Sequence, residues 1–564
     1  MKSKMEYCFG LSFNNNNERK ILPKTAGNYM NNFNKLFYTI CFAFLLGTET
    51  SAQMKSFYNI VDFGAKGDGL ALNTRAIQDA VDKCSEEGGT VIIPPGKFLT
   101  GSIELKNNVD IYIQNGAEIL GSTNISDYVE RKPKFDSYND VFLKHSLFYA
   151  ESVENISVRG EGIINGQGET YKVSTRIKPD RYKNRPFVFR FVECKNIRIE
   201  NLTMMNSAMW MQQYLACEDL FISGIKVYNH ANQNNDMMDI DGCKNVVISG
   251  CLGDTDDDGI TLKSTSPRIT ENVTITNCVL SSHCNAFKFG TESTGGFKNI
   301  TVSNLVIKPS SRETTIYGLP KGTSGITLAT VDGGIVENIN ISNVIMDGPE
   351  VPIFLRLGNR ARKFKEDIHE PGIGIFKNVL ISNVIAVNAG KTGCSITGIP
   401  GNYISNVTLR NISISFAGGG KNTHEIKNVP ELENQYPEGT MWNELPAYGF
   451  FIRHVNNLKI SDIELSSENK DERSAIIMED VSEIKIDGLT TKIRNDKVSA
   501  IAVSLGKNII ISNSSVAGNA ESFVRVIDRE TKNVFLYNND TRNSKKIINQ
   551  KMANQVKVIS NINR

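Results

Sequence analysis

The stretch NVTITNCVL (residues 272–280), followed one coil later by NITVSNLVI (299–307), decides the fold. Each opens on Asn, alternates β-branched with polar residues, and carries a second Asn before its last apolar pair. Alternation at period two sends side chains to opposite faces of an extended strand, so each segment has one face to bury. The pattern reappears upstream at Asn196 (NIRIENLTM), Asp219 (DLFISGIKV) and Asn245 (NVVISGCL). Downstream it reappears at Asn338 (NINISNVIM), Asn378 (NVLISNVIA), Asn406 (NVTLRNISI), Asn457 (NLKISDIEL) and Asn508 (NIIISNSSV). Neighbouring central repeats lie about 23–27 residues apart, a solenoid spacing. One such coil cannot bury its apolar side alone, but stacked coils bury it continuously and align equivalent residues in ladders. The Asn or Gly after each short strand supplies a turn of positive φ. The reading is therefore all-β, a single-stranded right-handed parallel β-helix. Thr74–Glu87 (TRAIQDAVDKCSEE) places Ala76, Ile77, Ala80 and Val81 at helical spacing and is expected to cap the N-terminal end of the stack.

Composition agrees with that class. The 564 residues are 40% hydrophobic and 22% charged, which excludes extended disorder, collagen-like sequence and a multi-span membrane protein for the bulk of the chain. With 63 basic and 61 acidic side chains the formal charge is +2, so no whole-chain field attracts nucleic acid, and an anionic ligand must be held by a local cluster. Residues 1–29 are polar and Asn-rich and read as an upstream extension or an over-called start. Residues 30–52 combine Lys35, the apolar run Leu36–Leu46 and Thr50-Ser51-Ala52, the pattern of a signal peptide, too short to span a bilayer. The expectation is a bacterial protein exported to the periplasm or beyond, free of membrane after cleavage, with residues 53–564 forming one β-helix domain. Eight cysteines follow the leader without a CxxC pair; they are expected as buried, stacked thiols rather than a zinc site.

The chemistry concentrates in NQNNDMMDIDGCKNVVISGCLGDTDDDGITLK (232–263). Asp236 and Asp257 are about one coil apart, and parallel strands stack at roughly 4.8 Å, so side chains leaving one face reach a common groove. Inverting hydrolysis of a glycosidic bond needs a protonated carboxyl at the leaving oxygen and a carboxylate holding water opposite. Close like charges keep one of them protonated. A lone Asp in a β-helix turn caps it, which covers Asp239, Asp241 and Asp254. A triple Asp above Asn-Asn-Asp is harder to explain that way, and a calcium site is the competing reading.

Two N-terminal segments, FYNIVDFGAKGDG (57–69) and GGTVIIPPGKFLTGSIELKNNVDIYIQNGAEILGST (88–123), closely resemble the start of glycoside hydrolase family 28, the polygalacturonase family of the pectin-lyase-like β-helix group. The resemblance runs through at least Asn343. The family's Asn-Thr-Asp and Asp-Asp motifs look like Asn234-Asn235-Asp236 and Asp257-Asp258-Gly259. It implies Asp257 as general acid, Asp236 and Asp258 as the pair that holds and activates water, Asn234 beside the substrate, inversion, and no metal or cofactor. Two positions depart from it. The family's Gly-His-Gly corresponds to Ser281-Ser282-His283-Cys284-Asn285, with the His displaced by one residue, so that His283 either reaches the acid or sits in a solvated turn. The family's Arg-Ile-Lys falls on Gly325-Ile326-Thr327-Leu328-Ala329, without either cation. Replacement carboxylate holders are Lys288 and the cluster Arg356, Arg360 and Arg362 with Lys363; Trp210, Trp442 and Tyr448 are aromatic groups for sugar stacking, and Tyr448 sits in a stretch read as a groove wall.

The leading expectation is a monomeric, secreted hydrolase acting on an anionic plant cell-wall polysaccharide or its oligosaccharides, with no nucleic-acid partner. Plain polygalacturonan competes with rhamnogalacturonan or substituted galacturonan, which the missing Arg-Ile-Lys favours. Inserts around 309–323, 359–374 and 418–446 suit a pocket-ended, exo-acting cleft. A calcium-dependent lyase using an Arg or Lys base and a non-catalytic polysaccharide-binding β-helix are the readings of other classes.

Overall fold

In a computed structural model the described residues are 56–563, apart from 139–142, 174, 176, 178–179, 422–428 and 551–555. The expectations for residues 1–29 and 30–52 lie outside them.

The strands pair in parallel, coil upon coil, and the chain is a right-handed parallel β-helix. The Asn-initiated repeats pair in register: Leu220 stands on Ile197, Val246 on Leu220, Val273 on Val246, Ile300 on Val273 and Ile339 on Ile300. All six are at most 2% exposed and belong to one core running from Ile60 to Leu536. Full burial of such a side chain contributes about 1.5–3 kcal/mol, so the ladder stabilises every coil it crosses. A one-residue slip would turn the apolar set outward, which fixes the register.

The Asn opening each repeat takes a left-handed backbone, for instance φ 58° at Asn272 and 55° at Asn299. Its amide then reaches the coil below: Asn272 Nδ2 donates to Asn245 Oδ1 at 3.2 Å, Asn299 to Asn272 at 3.2 Å and Asn338 to Asn299 at 3.0 Å. The capping helix, α1 (Thr74–Glu87), buries Ile77, Ala80, Val81 and Cys84 on the first coils and ends at Gly88 with φ 75°. Ala76 packs only partly buried against the same core. The eight cysteines are free thiols, seven buried and Cys284 half-buried.

One ladder positions the site. Strands β1 (Gln212–Leu215), β2 (Met238–Asp241), β3 (Ile260–Ser264), β4 (Asn285–Ser293), β5 (Ser324–Thr330) and β6 (Val351–Leu357) stack in that order. Ile240, Leu262, Phe289 and Leu328 point into the core. The alternate residues Asp239, Thr261, Lys288 and Thr327 therefore stack on the outer face.

Candidate active site

The turns entering β2 and β3 lie one above the other and hold each other through backbone bonds. Met237 N donates to Asp258 O at 2.9 Å, and Gly259 N donates to Asn285 O at 2.8 Å on the next coil. The hydroxyls of Thr255 and Ser282 donate to the Asp257 carbonyl at 2.8 and 2.6 Å. A Cβ on Gly259 would stand 2.3 Å from Ala286 O, so only glycine permits this approach. Asp236, Asp257 and Asp258 consequently line one cavity of about 530 Å³, together with Asn234, Lys288 and Arg362 from the sequence reading.

The three carboxylates differ in their partners. Asp258 Oδ1 accepts from Asn285 Nδ2 at 2.7 Å and Oδ2 accepts from Lys288 Nζ at 2.8 Å. Asp257 accepts from the Asp258 amide at 3.0 Å and from Asn234 Nδ2 at 3.5 Å. Burial and then the charge of Asp258 push the Asp257 carboxyl up to about 6. Among the described residues nothing hydrogen-bonds the buried Asp236 Oδ1, and burial, then the charges of Asp239 and Asp257, hold its carboxyl well above the ordinary range. Asp239 lies buried behind it, 3.5 Å from Lys263 Nζ, and caps no turn.

Lys288 occupies the ladder position directly below Thr327. Thr327 Oγ1 donates to Asn285 Oδ1 at 2.8 Å, so its hydroxyl braces the amide that supports Asp258. Burial opposes the Lys288 charge, but Asp258 outweighs it and the ammonium is held above its ordinary range. Arg362 faces Glu292 at 2.8 Å and stacks 4.3 Å from the Tyr138 ring centroid.

Other expected residues lie elsewhere. Tyr448 is in the core, 1% exposed, its hydroxyl 2.6 Å from Thr491 Oγ1; it opens a strand, not a groove wall. Arg356 projects from the outer face of β6 but is covered by the 429–446 segment, donating to Gly398 O at 3.0 Å and Glu431 O at 2.6 Å. Arg360 is ion-paired to Asp332 through Nε at 2.9 Å. Trp442 packs with Phe354 in a separate apolar cluster, whereas Trp210 does line the cavity, with Lys263 Nζ 4.8 Å from its ring centroid. His283 is bonded neither to Asp257 nor to Asp258. Its Nδ1 is 2.9 Å from Asp256 and its Nε2 is 2.8 Å from Arg312 O, while Cys284 faces the cavity.

Sequence reasoning missed Lys263, Arg181, Tyr436 and Glu438, which also line the cavity. Lys263 had a signal, the same outward alternation as Asp239 and Asp241. Tyr436 and Glu438 arrive on a long insert with no periodicity; Tyr436 OH lies 3.1 Å from Lys288 Nζ, and burial pushes the Glu438 carboxyl up to about 7. Arg181 stacks on the rings of Tyr182 and Tyr317 at 5.7 and 5.2 Å and meets no carboxylate among the described residues.

The model of the glycosyl hydrolases family 28 matches residues 84–437, more than half of the chain. A probable polygalacturonase of Vitis vinifera is 25% identical over 440 residues, covering 72% of this chain and 86% of the relative. An exo-poly-alpha-D-galacturonosidase of Dickeya chrysanthemi is 38% identical over 129 residues, 22% of this chain and 21% of the relative. The crystal structure of a hyperthermoactive exopolygalacturonase from Thermotoga maritima shares the fold, with TM-score 0.55 and 20% identity over 73% of this chain and 91% of that one. The stacked turns, their carboxylates and the family match together make this chain a glycoside hydrolase that belongs to glycosyl hydrolase family 28.

Proposed function

We propose that this hydrolase cuts galacturonosyl linkages of a pectic polysaccharide by a single displacement with inversion. One observation carries the reading: Asp236, Asp257 and Asp258, from two adjacent coils, line one cavity that also holds cations able to receive a uronate. Asp257 donates its proton to the leaving glycosidic oxygen. Asp236, with a free buried oxygen, and Asp258, oriented by Lys288 and Asn285, hold the attacking water on the opposite side of the sugar. The oxocarbenium-like transition state gathers positive charge between these carboxylates, where low solvent access strengthens the attraction. Arg181 is the group best placed to pair with a sugar carboxylate, since Lys288 and Arg362 already face Asp258 and Glu292.

The segments carrying Tyr317 and Tyr436 reach into the same cavity, which supports removal of residues from a chain end rather than attack in mid-chain. The leader pattern of residues 30–52 supports export, and among the described residues no helix is long and apolar enough to cross a membrane. The purified chain, without added calcium, would be tested on polygalacturonan and on rhamnogalacturonan. Reducing ends without the ultraviolet absorbance of unsaturated uronides are expected, with polygalacturonan preferred. Absorbance that depends on calcium would replace hydrolysis by elimination, and preference for rhamnogalacturonan would reassign the substrate.

A further inference from the structure

Beside the catalytic turn, but outside the cavity lining, three buried side chains converge. His230 and His283 have no exposed side-chain surface, Asp256 has 1%, and the two rings stand 5.0 Å apart. One ligand atom from each residue lies within 4.8 Å of the others. The outer nitrogens are already committed: His230 Nε2 is 2.9 Å from Asp254 Oδ1, and His283 Nε2 is 2.8 Å from the Arg312 carbonyl. Both contacts place a proton on Nε2, so a ring in its neutral form presents the Nδ1 lone pair inward. The two Nδ1 atoms face the same oxygen, Asp256 Oδ1, at 3.9 Å from His230 and 2.9 Å from His283.

With protons alone this arrangement is incomplete. A hydrogen bond satisfies the His283–Asp256 contact, but among the described residues nothing pairs with the buried His230 Nδ1. An orphaned buried polar atom costs about 1–3 kcal/mol. A cation among the three inner atoms satisfies all of them at once. Ligand atoms about 2.0 Å from a tetrahedral zinc sit about 3.3 Å apart, and the observed 2.9 and 3.9 Å bracket that spacing. The outer contacts, a carboxylate on one imidazole and a backbone carbonyl on the other, are those that orient histidine ligands.

We propose that His230 Nδ1, His283 Nδ1 and Asp256 Oδ1 hold a zinc ion as its three protein ligands, leaving a fourth position to water, and so brace the turn bearing Asp257 and Asp258 against the 309–323 insert. The insert wraps this cluster closely. Ser310 and Ser311 donate to Asp254 at 2.6 Å each, Arg312 Nη1 donates to His230 O at 2.7 Å, and the amides of Ile316 and Tyr317 donate to Asp256 at 2.8 and 3.1 Å. Tyr317, which lines the cavity, is thereby fixed against the residue preceding the general acid. The other grouping with ligand spacing, Asp257, Asp258 and Cys284, belongs to the cavity and already pairs with Lys288.

The full chain, purified and dialysed against metal-free buffer, would be analysed for metal by mass spectrometry. The stripped protein would then be titrated with Zn²⁺ alone and with Co²⁺ alone. One tightly held zinc per chain and a visible cobalt band at the same stoichiometry are expected. His230→Gln and His283→Gln should each bind zinc at least about tenfold more weakly, whereas Cys284→Ser should keep both the zinc and the band. Failure of the wild-type chain to take up either metal overturns the proposal even if the histidine variants do not fold. So does loss of zinc in Cys284→Ser with retention in His230→Gln, which would move the metal into the cavity.

Discussion

Lys288 and Asp258 provide the sharpest energetic test of the site. Their side chains are 2% and 5% exposed with Nζ and Oδ2 2.8 Å apart, so solvent screening is slight. At an effective dielectric of 20 the gross attraction is about 6 kcal/mol, offset by the cost of taking both ions out of water. Lys288→Met leaves a buried carboxylate with only Asn285 for support and should destabilise the chain by about 3–5 kcal/mol; Asp258→Asn leaves a buried ammonium facing Tyr436 and should cost a similar amount. The double variant strands neither charge, and its loss should be close to that of one single change rather than their sum, a coupling of about 3–5 kcal/mol. Guanidinium unfolding followed by fluorescence of Trp210 and Trp442, compared by midpoint at a common slope, measures all four corners of the cycle. Additive losses, with coupling under about 0.5 kcal/mol, would refute the ion pair as the anchor of the catalytic turn.

Further outcomes follow from single side chains. Arg181→Gln should raise KM for a uronate oligomer roughly tenfold with kcat little changed, as expected for one charge-assisted contact made before and during reaction; an unchanged KM would remove it from the substrate site. Tyr448→Phe strands Thr491 Oγ1 in the core and should lower stability by about 1–2 kcal/mol without altering kcat/KM; a selective loss of activity would restore a groove role. His454 faces Glu431 and Asp480 with Arg453, Glu479 and Tyr403 around it; burial lowers its imidazole, but the carboxylates outweigh this and hold it above its ordinary value. Because the folded value exceeds the unfolded one of about 6.5, its contribution is complete below that pH and is lost as pH rises through the folded value. Tm should therefore fall more steeply with rising pH in the wild type than in His454→Gln, and parallel curves would contradict the assignment.

What the sequence disclosed follows from periodicity. Ile300 and Val302 point inward and Thr301 outward for the same reason their neighbours do, and the Asn at each repeat start is needed both for left-handed φ and for its amide ladder. Coil spacing put Asp236 and Asp257 on adjacent turns, but the roles of Asp236, Asp257 and Asp258 came from the resemblance to the family, and Lys288 was read as a replacement cation beside His283. Tyr448 was misread because MWNELPAYGFFIRH looks like one aromatic loop, whereas Ala447 begins a strand whose register carries Phe450 and Ile452 into the core. Arg356 does alternate outward, as PIFLRL suggests, but nothing local reveals that the insert near Glu431 folds over it. Tyr436 and Glu438 were invisible for the same reason, since an insert without period reaches the site only through tertiary packing. Only geometry could tell whether His283 or Cys284 faces the cavity.

The central claim is single displacement by the Asp257–Asp236–Asp258 set. The most direct measurement is proton NMR of the anomeric signal during the first turnovers on an α-linked galacturonate oligomer. The β-anomer should appear first, with the α-anomer growing only by mutarotation, and Asp257→Asn should abolish the signal while still binding the oligomer. An α-anomer formed first would contradict inversion, and undiminished turnover in Asp257→Asn would contradict the acid.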